Sequence, residues 1–265
     1  MSKQLGVIKL KGTIGGISFY QSDGEHLARL ANGPDKSRID TDVAFQRTRE
    51  NNAEFGGSAV AAKALRISLT SAMQVIADSK ISSRLTQLFK AINMKGTGTR
   101  GQRSILVSAN QSMLVNFELD VNKSFSSVFN APYTVTNGAD RNDATLTVAA
   151  FIPASFVAAP AGATHFRLIH AIGIISDYLY NNDTQDYEPS EPTLNSIGAI
   201  DYSAYLPVGN VPTAAISINT VLPGAPVMPV DASVVQCVGI EFYQQIAGVN
   251  YPLTQGSAMK IARVF

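Results

Sequence analysis

Apolar and polar residues alternate at both ends of the chain, and a region with helical spacing separates these two parts. Residues 17–20 and 25–31 are β-rich runs that flank Asp23-Gly24, a dipeptide that favours a two-residue hairpin turn. Residues 5–10 and 14–20 are predicted as strands before that turn. Gly15-Gly16 inside the second run indicates a bulge, a kink or a close backbone approach. The pattern predicts an N-terminal β-hairpin arm over residues 1–31.

Residues 32–95 carry apolar positions at three- and four-residue steps, which is the spacing of one face of a helix. Asp42 and its neighbours are suited to cap a helix that begins near Val43, and Gly56-Gly57 is expected to interrupt or end it. Two further helices are predicted from apolar stripes at Leu65, Leu69, Met73 and Ile76, and at Ile81, Leu85, Leu88, Phe89 and Ile92.

Residues 96–103 are rich in Gly, Thr and Arg and are predicted as a linker, after which the spacing becomes strand-like. The predicted strands cover residues 104–109, 113–121, 144–151, 164–176, 193–201, 214–222, 233–244, 249–253 and 258–264. Short strands with Pro/Gly-rich connections are typical of an antiparallel sandwich. We therefore predict an α+β, mainly β fold, in which the arm and two to three helices precede an Ig-like β-sandwich over residues 104–265.

The pattern G-I-x-F-Y-Q occurs twice, in residues 16–21 and in residues 239–244, and a Gly-containing turn follows each copy. The sequence between the copies shows no further period, so we do not predict a tandem repeat. The similarity instead predicts two hairpins of related chemistry, one at each end of the chain.

Composition adds a low charge content and an uneven charge distribution. Charged residues make up 15% of the chain against 45% hydrophobic residues. Residues 1–103 contain 16 Lys and Arg against 8 Asp and Glu, and residues 104–265 contain 5 against 12. Low charge favours self-association because little repulsion separates the copies, and opposite halves can neutralise each other within or between molecules.

No motif in the sequence predicts catalysis or a cofactor. Residues 96–101 match GxGxxG, but a nucleotide site requires a strand before the motif and a helix after it, and here the predicted order is reversed. His170 falls in register with apolar residues and is interpreted as a core histidine, and no two histidines are spaced as zinc ligands. Cys237 lies in an apolar run and is interpreted as a small buried side chain.

The carboxylates of residues 177–191 raise two weaker alternatives, a calcium site and a glycosidase carboxylate pair. The run lacks the EF-hand pattern, and an exposed acidic loop is the more usual meaning. The acidic residues concerned are Asp177, Asp183, Asp186, Glu188 and Glu191. We predict no metal site, no cofactor and no enzymatic activity.

The basic first half also raises a nucleic-acid alternative, but its cations are dispersed and no aromatic residues interleave with them. A solvated helical face, or contact with the acidic half, explains them better. The residues concerned are Arg47, Arg49, Lys63, Arg66, Lys80, Arg84, Lys90, Lys95, Arg100 and Arg103.

Three segments resemble a group of uncharacterised bacterial proteins from Bacteroidota-type genomes. They are the opening GxxxLKGTIGGISFYQ, the segment AFQRTRENNAEFG over residues 44–56, and the closing GIEFYQQIAGVNYPL. The resemblance covers essentially the full length. It implies the same order of hairpin, helices and sandwich, and it implies no activity.

The hypothesis that fits these observations best is a non-enzymatic structural subunit that assembles with itself into a filament, tube or shell. The arm would supply contacts between subunits by adding strands to a neighbour's sheet edge. The predicted contact residues are Ile14, Ile17, Phe19, Tyr20, Leu27 and Leu30.

Two alternatives stay open, a β-sandwich module that binds a carbohydrate or cell-surface ligand through Tyr178, Tyr180 and Tyr187, and a nucleic-acid-associated virion-like protein. The N-terminus lacks the apolar run of a signal peptide, and no stretch has the length of a transmembrane helix. We expect synthesis in the cytoplasm. A final extracellular location through non-Sec export, lysis or a separate leader stays open.

Overall fold

The computed structural model describes residues 2–31 and 33–265, and the chain divides into two compact units. The first unit is Met1–Arg49 and the second is Glu50–Phe265.

The first unit contains a four-stranded antiparallel sheet in the order β1-β4-β3-β2, followed by a short helix. Its elements are β1 (Ser2–Lys3), β2 (Gly12–Ile14), β3 (Ile17–Ser22), β4 (Glu25–Leu30), α1 (Lys36–Thr41) and a 3-10 turn (Val43–Phe45). The strand predicted at residues 5–10 is wrong, because these residues form a loop between β1 and β2. The Asp42 side chain accepts a hydrogen bond from the Ala44 amide, so it caps the 3-10 turn at the predicted position.

Five α-helices follow, and the first of them begins in the first unit. They are α2 (Gln46–Ser68), α3 (Thr70–Ile76), α4 (Ile81–Asn93), α5 (Phe125–Val128) and α6 (Pro153–Phe156). The predicted break at Gly56-Gly57 is wrong, since α2 continues through both glycines. Gly57 is needed there for packing, because a Cβ atom at this position would lie 2.3 Å from the Tyr187 ring.

The second unit holds eleven strands among its residues. They are β5 (Tyr133–Asn137), β6 (Asp143–Val148), β7 (His165–Ser176), β8 (Tyr178–Asn181), β9 (Asp186–Pro189), β10 (Gly198–Tyr202), β11 (Leu206–Pro207), β12 (Ile216–Val221), β13 (Ala232–Ile246), β14 (Val249–Pro252) and β15 (Ala258–Val264). The central sheet has six strands, in the order β10-β7-β13-β14 with β11 beside β7 and β15 beside β13. A second sheet has the order β12-β6-β5, and β8 and β9 form a separate hairpin.

The central sheet is buried on both faces, which gives the second unit three layers. On one face it packs against α2, α3 and α4, where Leu65, Leu85 and Phe89 meet Ile169 and Cys237 of the sheet. On the other face it packs against the β12-β6-β5 sheet, where Phe166, Leu168 and Phe242 meet Leu146 and Ile218. The predicted class, α+β and mainly β, is confirmed, and the two facing sheets form a β-sandwich in the general sense.

Burial on both faces explains the sequences of the two central strands. Residues 232–243 of β13 and all but two residues of β7 are buried, so both strands read as near-continuous apolar runs. The helices therefore share a core with the sheets, and the unit boundary falls at Arg49/Glu50 rather than at residues 96–103. The predicted division into a helical segment and a separate sandwich domain does not describe this packing.

Two predicted strands at the start of the sandwich are also wrong. Residues 104–109 and 113–121 form turns and a 3-10 segment with isolated bridges to Tyr178 and Lys260. Asn116 adopts a φ of 66°, which interrupts the regular alternation that a strand requires. The segment still covers the edge of β15, because the Leu119 amide donates to the Met259 carbonyl at 2.9 Å.

Candidate assembly surface

Two consecutive tight turns build the sheet of the first unit. Gly15 and Gly16 have φ of 56° and 76° between β2 and β3, and Asp23 and Gly24 have φ of 50° and 80° between β3 and β4. Positive φ at both central residues is the conformation of a type I′ hairpin turn, which glycine adopts without steric cost. Gly15-Gly16, for which a bulge, kink or close approach was expected, is thus a second hairpin turn.

The register of these hairpins places three large apolar side chains in one row across three strands. Ile14 pairs with Ile17, and Ile17 pairs with Leu30. All three are exposed, at 60%, 38% and 68% respectively. Phe19 lies two residues along β3 on the same face, opposite Ala28, and is half-buried. We call the face formed by Ile14, Ile17, Phe19 and Leu30 the arm face.

The remaining two predicted contact residues lie on the opposite face. Tyr20 pairs with Leu27, and both are half-buried. The Arg29 guanidinium lies 5.4 Å from the centroid of the Tyr20 ring on that face. The structure therefore brings together four of the six predicted residues and separates the other two from them.

A loop of the same unit carries further exposed apolar side chains that the sequence pattern did not predict. Leu5, Val7 and Ile8, in the loop between β1 and β2, are exposed at 89%, 101% and 80%. The Gln4 side chain holds the loop, since its Nε2 donates to the carbonyls of Leu10 and Leu27 and its Oε1 accepts from the Leu10 amide at 2.8 Å. The apolar run LGVIKL of residues 5–10 is the sequence signal for this loop, although its composition favours a strand.

The first unit lacks a hydrophobic core within the residues that the structure describes. None of residues 2–31 and 33–49 is buried, and none belongs to the hydrophobic clusters of the protein. A small sheet gains stability in water by burying an apolar face against another element. An exposed contiguous apolar surface on a folded protein is the usual mark of an interaction site.

The residues of the GxGxxG stretch, considered as a nucleotide site, instead stabilise the fold of the second unit. Three amides of the GxGxxG stretch are bonded within the fold, since Gly96 donates to the Asn93 carbonyl, Thr97 to the Ser104 hydroxyl and Gly101 to Glu54 Oε1 at 2.8 Å. Arg103 donates to both oxygens of the buried Glu54 carboxylate at 2.7 Å, and Lys90 donates to Oε2. Burial alone would raise the pKa of Glu54, but these hydrogen bonds outweigh it and lower the pKa to about 2. The predicted linker is thus tied to α2 and α4.

The histidine and cysteine interpretations are confirmed. His170 is fully buried, with Nδ1 2.9 Å from Thr220 Oγ1 and Nε2 2.9 Å from Gln236 Nε2. Burial lowers the pKa of His170 to about 4. Cys237 is also fully buried, and its burial raises the pKa of the thiol well above the usual range.

The acidic loop is a hairpin rather than an irregular segment. Asp177 is buried and accepts hydrogen bonds from the amide and hydroxyl of Ser108, whereas Asp183, Asp186 and Glu188 lie exposed on the β8–β9 hairpin. Within residues 2–31 and 33–265, no group of three or more His, Cys, Asp or Glu side chains is arranged to hold a metal ion.

The structure also bears on the residues behind the two alternative functions, the tyrosines of the glycan module and the basic residues of the nucleic-acid protein. Tyr178 and Tyr187 are buried, at 1% and 3% exposure, so they do not form the exposed aromatic surface that a glycan module needs. Several of the basic residues are paired within the protein, in the ion pairs Arg84–Asp78, Lys90–Glu54, Arg100–Glu50 and Arg103–Glu54.

In the part of the chain that the structure describes, no single helix has both the length and the hydropathy of a membrane span. Val43–Ser68 and Thr70–Ile76, bent by 89°, meet that criterion only as a pair. Comparison with known proteins finds no matching family model, no matching curated protein and no matching solved structure. The resemblance to Bacteroidota-type proteins therefore stays a prediction.

Proposed function

We propose that this protein is a non-enzymatic structural subunit that assembles with copies of itself into a filament, tube or shell. The arm face of the first unit contributes to the contacts between subunits. The observation that carries this proposal is the exposed row Ile14, Ile17 and Leu30 in a unit with no buried described residue.

Association would bury apolar area that is exposed in the single chain. Burial of apolar surface contributes about 25 cal/mol per Å², and each large aliphatic side chain contributes about 1.5–3 kcal/mol when fully buried. The row and the loop residues Leu5, Val7 and Ile8 together offer six such side chains. Only part of this energy remains as affinity, because association also costs translational freedom and side-chain ordering.

Backbone pairing offers a second contribution. β2 is one of the two edge strands of the sheet, with three residues, Gly12–Ile14, next to β3. Edge strands present unpaired amide and carbonyl groups that a neighbouring strand can pair with. The low charge content of the chain also leaves little electrostatic repulsion between copies.

The proposal is tested by sedimentation velocity and negative-stain electron microscopy on the full chain. We expect the wild type to increase in mass with concentration, and we expect the triple variant Ile14→Ser, Ile17→Ser, Leu30→Ser to associate at least tenfold more weakly. Each substitution removes apolar area from the arm face without touching the cores of the second unit.

A matched control carries Ser at Val211 and Val230, which are exposed at 70% and 89% in the second unit. This control should associate like the wild type. A wild type that stays monomeric at high concentration, or a triple variant that assembles unchanged, would overturn the role of the arm face.

A further inference from the structure

Two adjoining grooves on the outer side of α2 share one arginine. The first, of about 490 Å³, lies between α2 and α4 and is lined by Phe55, Ala59, Arg66 and Thr86 among others. The second, of about 390 Å³, continues past Arg66 between α2 and α3. Phe55 and Ile67 on the groove walls are exposed at 54% and 49%, so the surface is apolar around a central cation.

The Nε atom of Arg66 is buried and has no hydrogen-bond partner among the described residues, although the residue as a whole is only half-buried. Two other cations nearby are paired, since Lys90 donates to Glu54 and Arg84 donates to Asp78 at 2.7 Å, whereas Lys63 at the second groove is exposed. Asp78 lines the far end of the second groove and is neutralised by that pair. A buried donor without an acceptor costs free energy and calls for an explanation. A carboxylate that enters the groove would supply the missing acceptor.

The β8–β9 hairpin presents such a carboxylate beside an apolar side chain. Residues 168–259 contain eight Asp and Glu and no Lys or Arg. In the hairpin, Leu179 pairs with Glu188, and Leu179 is 51% exposed. Asn181 and Thr184 donate to Glu188 at 2.9 and 2.8 Å, and these hydrogen bonds lower the pKa of Glu188. Glu188 is thus a fixed, ionised carboxylate next to an exposed leucine.

The hairpin and the grooves lie on opposite sides of α2, so one copy cannot satisfy its own Arg66. Tyr187 of the hairpin packs at Gly57, where a Cβ atom would lie 2.3 Å from its ring. Arg66 follows Gly57 by nine residues, and 100° per residue places the two positions about 180° apart on the helix. A contact between hairpin and groove must therefore join two copies, and it runs head to tail.

We propose that the β8–β9 hairpin of one copy docks into the α2 grooves of the next copy, with Glu188 against Arg66 and Leu179 against the apolar walls. The inference rests on the proposed self-assembly and adds a second contact surface, distinct from the arm face. Charge complementarity and the opposed positions on α2 favour a second copy of this chain as the occupant.

Charge-reversal variants of the full chain test the contact by sedimentation velocity. Arg66→Glu alone and Glu188→Arg alone should each weaken association at least tenfold, because each places like charges together. An equimolar mixture of the two variants should associate nearly as well as the wild type. In that mixture every groove meets a hairpin of opposite charge.

Rescue by mixing separates a contact between copies from a folding defect, which mixing cannot repair. Lys95→Glu, the same charge change at an exposed lysine outside the grooves, serves as the control and should leave association unchanged. Single variants that associate like the wild type, or that lose association without rescue on mixing, would overturn this contact.

If the arm triple variant alone loses association, the arm proposal stands without this contact. If only the charge variants lose association, the contact stands without the arm. A wild type that never associates contradicts both.

Discussion

The pattern G-I-x-F-Y-Q occurs in two strands of this protein that share a turn type and differ in burial. β3 carries it before Asp23-Gly24, and β13 carries it before Ala247-Gly248, where φ is 49° and 83°. Ile240 and Phe242 of β13 are fully buried, whereas Ile17 is 38% exposed and Phe19 is half-buried. Nearly identical residues thus form the centre of one unit and the surface of the other.

The difference lies in what surrounds each strand. β13 has β7 on one side and β14 and β15 on the other, with helices over one face and a second sheet over the opposite face. β3 has only β2 and β4 beside it, and no hydrophobic cluster includes any of its residues. The local sequence specifies a strand and a type I′ turn in both places, and the tertiary neighbours decide whether the apolar face is covered.

The largest expected effect comes from one substitution made in each copy of the pattern. Phe242→Ala should lower the free energy of unfolding by about 3–5 kcal/mol, because it leaves a cavity in a closed core. Phe19→Ala, its matched control, should cost less than about 1 kcal/mol in dilute solution. Urea unfolding followed by circular dichroism at micromolar concentration measures both. Equal losses would contradict the comparison.

A second prediction concerns the pH dependence of stability that arises from the core of the second unit. The pKa of His170 is lowered to about 4 by burial, from an ordinary value of 6.5. Between these values the unfolded chain binds a proton that the folded protein does not, so stability falls as the pH decreases from about 6.5 to about 4. The difference corresponds to about 3 kcal/mol.

Urea unfolding at several pH values checks this dependence. His170→Gln keeps a polar side chain at this site and removes the titrating group, so its stability should vary less over the same range. A variant with the full wild-type pH dependence would show that other groups are responsible.

A smaller loss of stability is expected from a substitution at the contact between α2 and the central sheet. Gly198 and Gly173 are cross-strand partners, and a Cβ atom on Gly198 would lie 1.8 Å from the Ser68 carbonyl oxygen of α2. Gly198→Ala should therefore cost about 1–3 kcal/mol. Gly209→Ala, where an added Cβ atom would meet no neighbouring atom within 4 Å beyond the adjacent residues, should change stability by less than about 0.5 kcal/mol. Similar thermal unfolding of the two variants would contradict the close packing of α2 on the sheet.

Sequence patterns predicted the elements that local chemistry specifies. The stripe of Ile81, Leu85, Phe89 and Ile92 is buried in α4, and the strand predicted at residues 258–264 is β15. The turn at Asp23-Gly24 is likewise the predicted hairpin turn. Each follows from a periodic stripe, an alternating run or a dipeptide suited to positive φ.

The errors occur where contacts or turns that residue spacing does not specify determine the structure. α2 continues through Gly57, where Tyr187, 130 residues later, packs so closely that no Cβ atom would fit. The run of residues 5–10 has strand composition, but the Gln4 side chain holds its backbone as a loop. The Gly15-Gly16 turn, which the sequence indicated only as an irregularity, places Ile14 beside Ile17 and so adds it to the face that Ile17, Phe19 and Leu30 form through the β3–β4 pairing. Apolar residues on both faces of β7 and β13 were the signal that helices cover the sheet.

The most direct test of the central claim is amide hydrogen exchange at several protein concentrations. If the arm assembles with other copies, exchange in residues 17–30 should slow as concentration rises, whereas residues 232–243 should be protected at every concentration. Exchange in residues 17–30 that stays fast and constant while the protein associates, or that is already slow in the dilute monomer, would contradict the account.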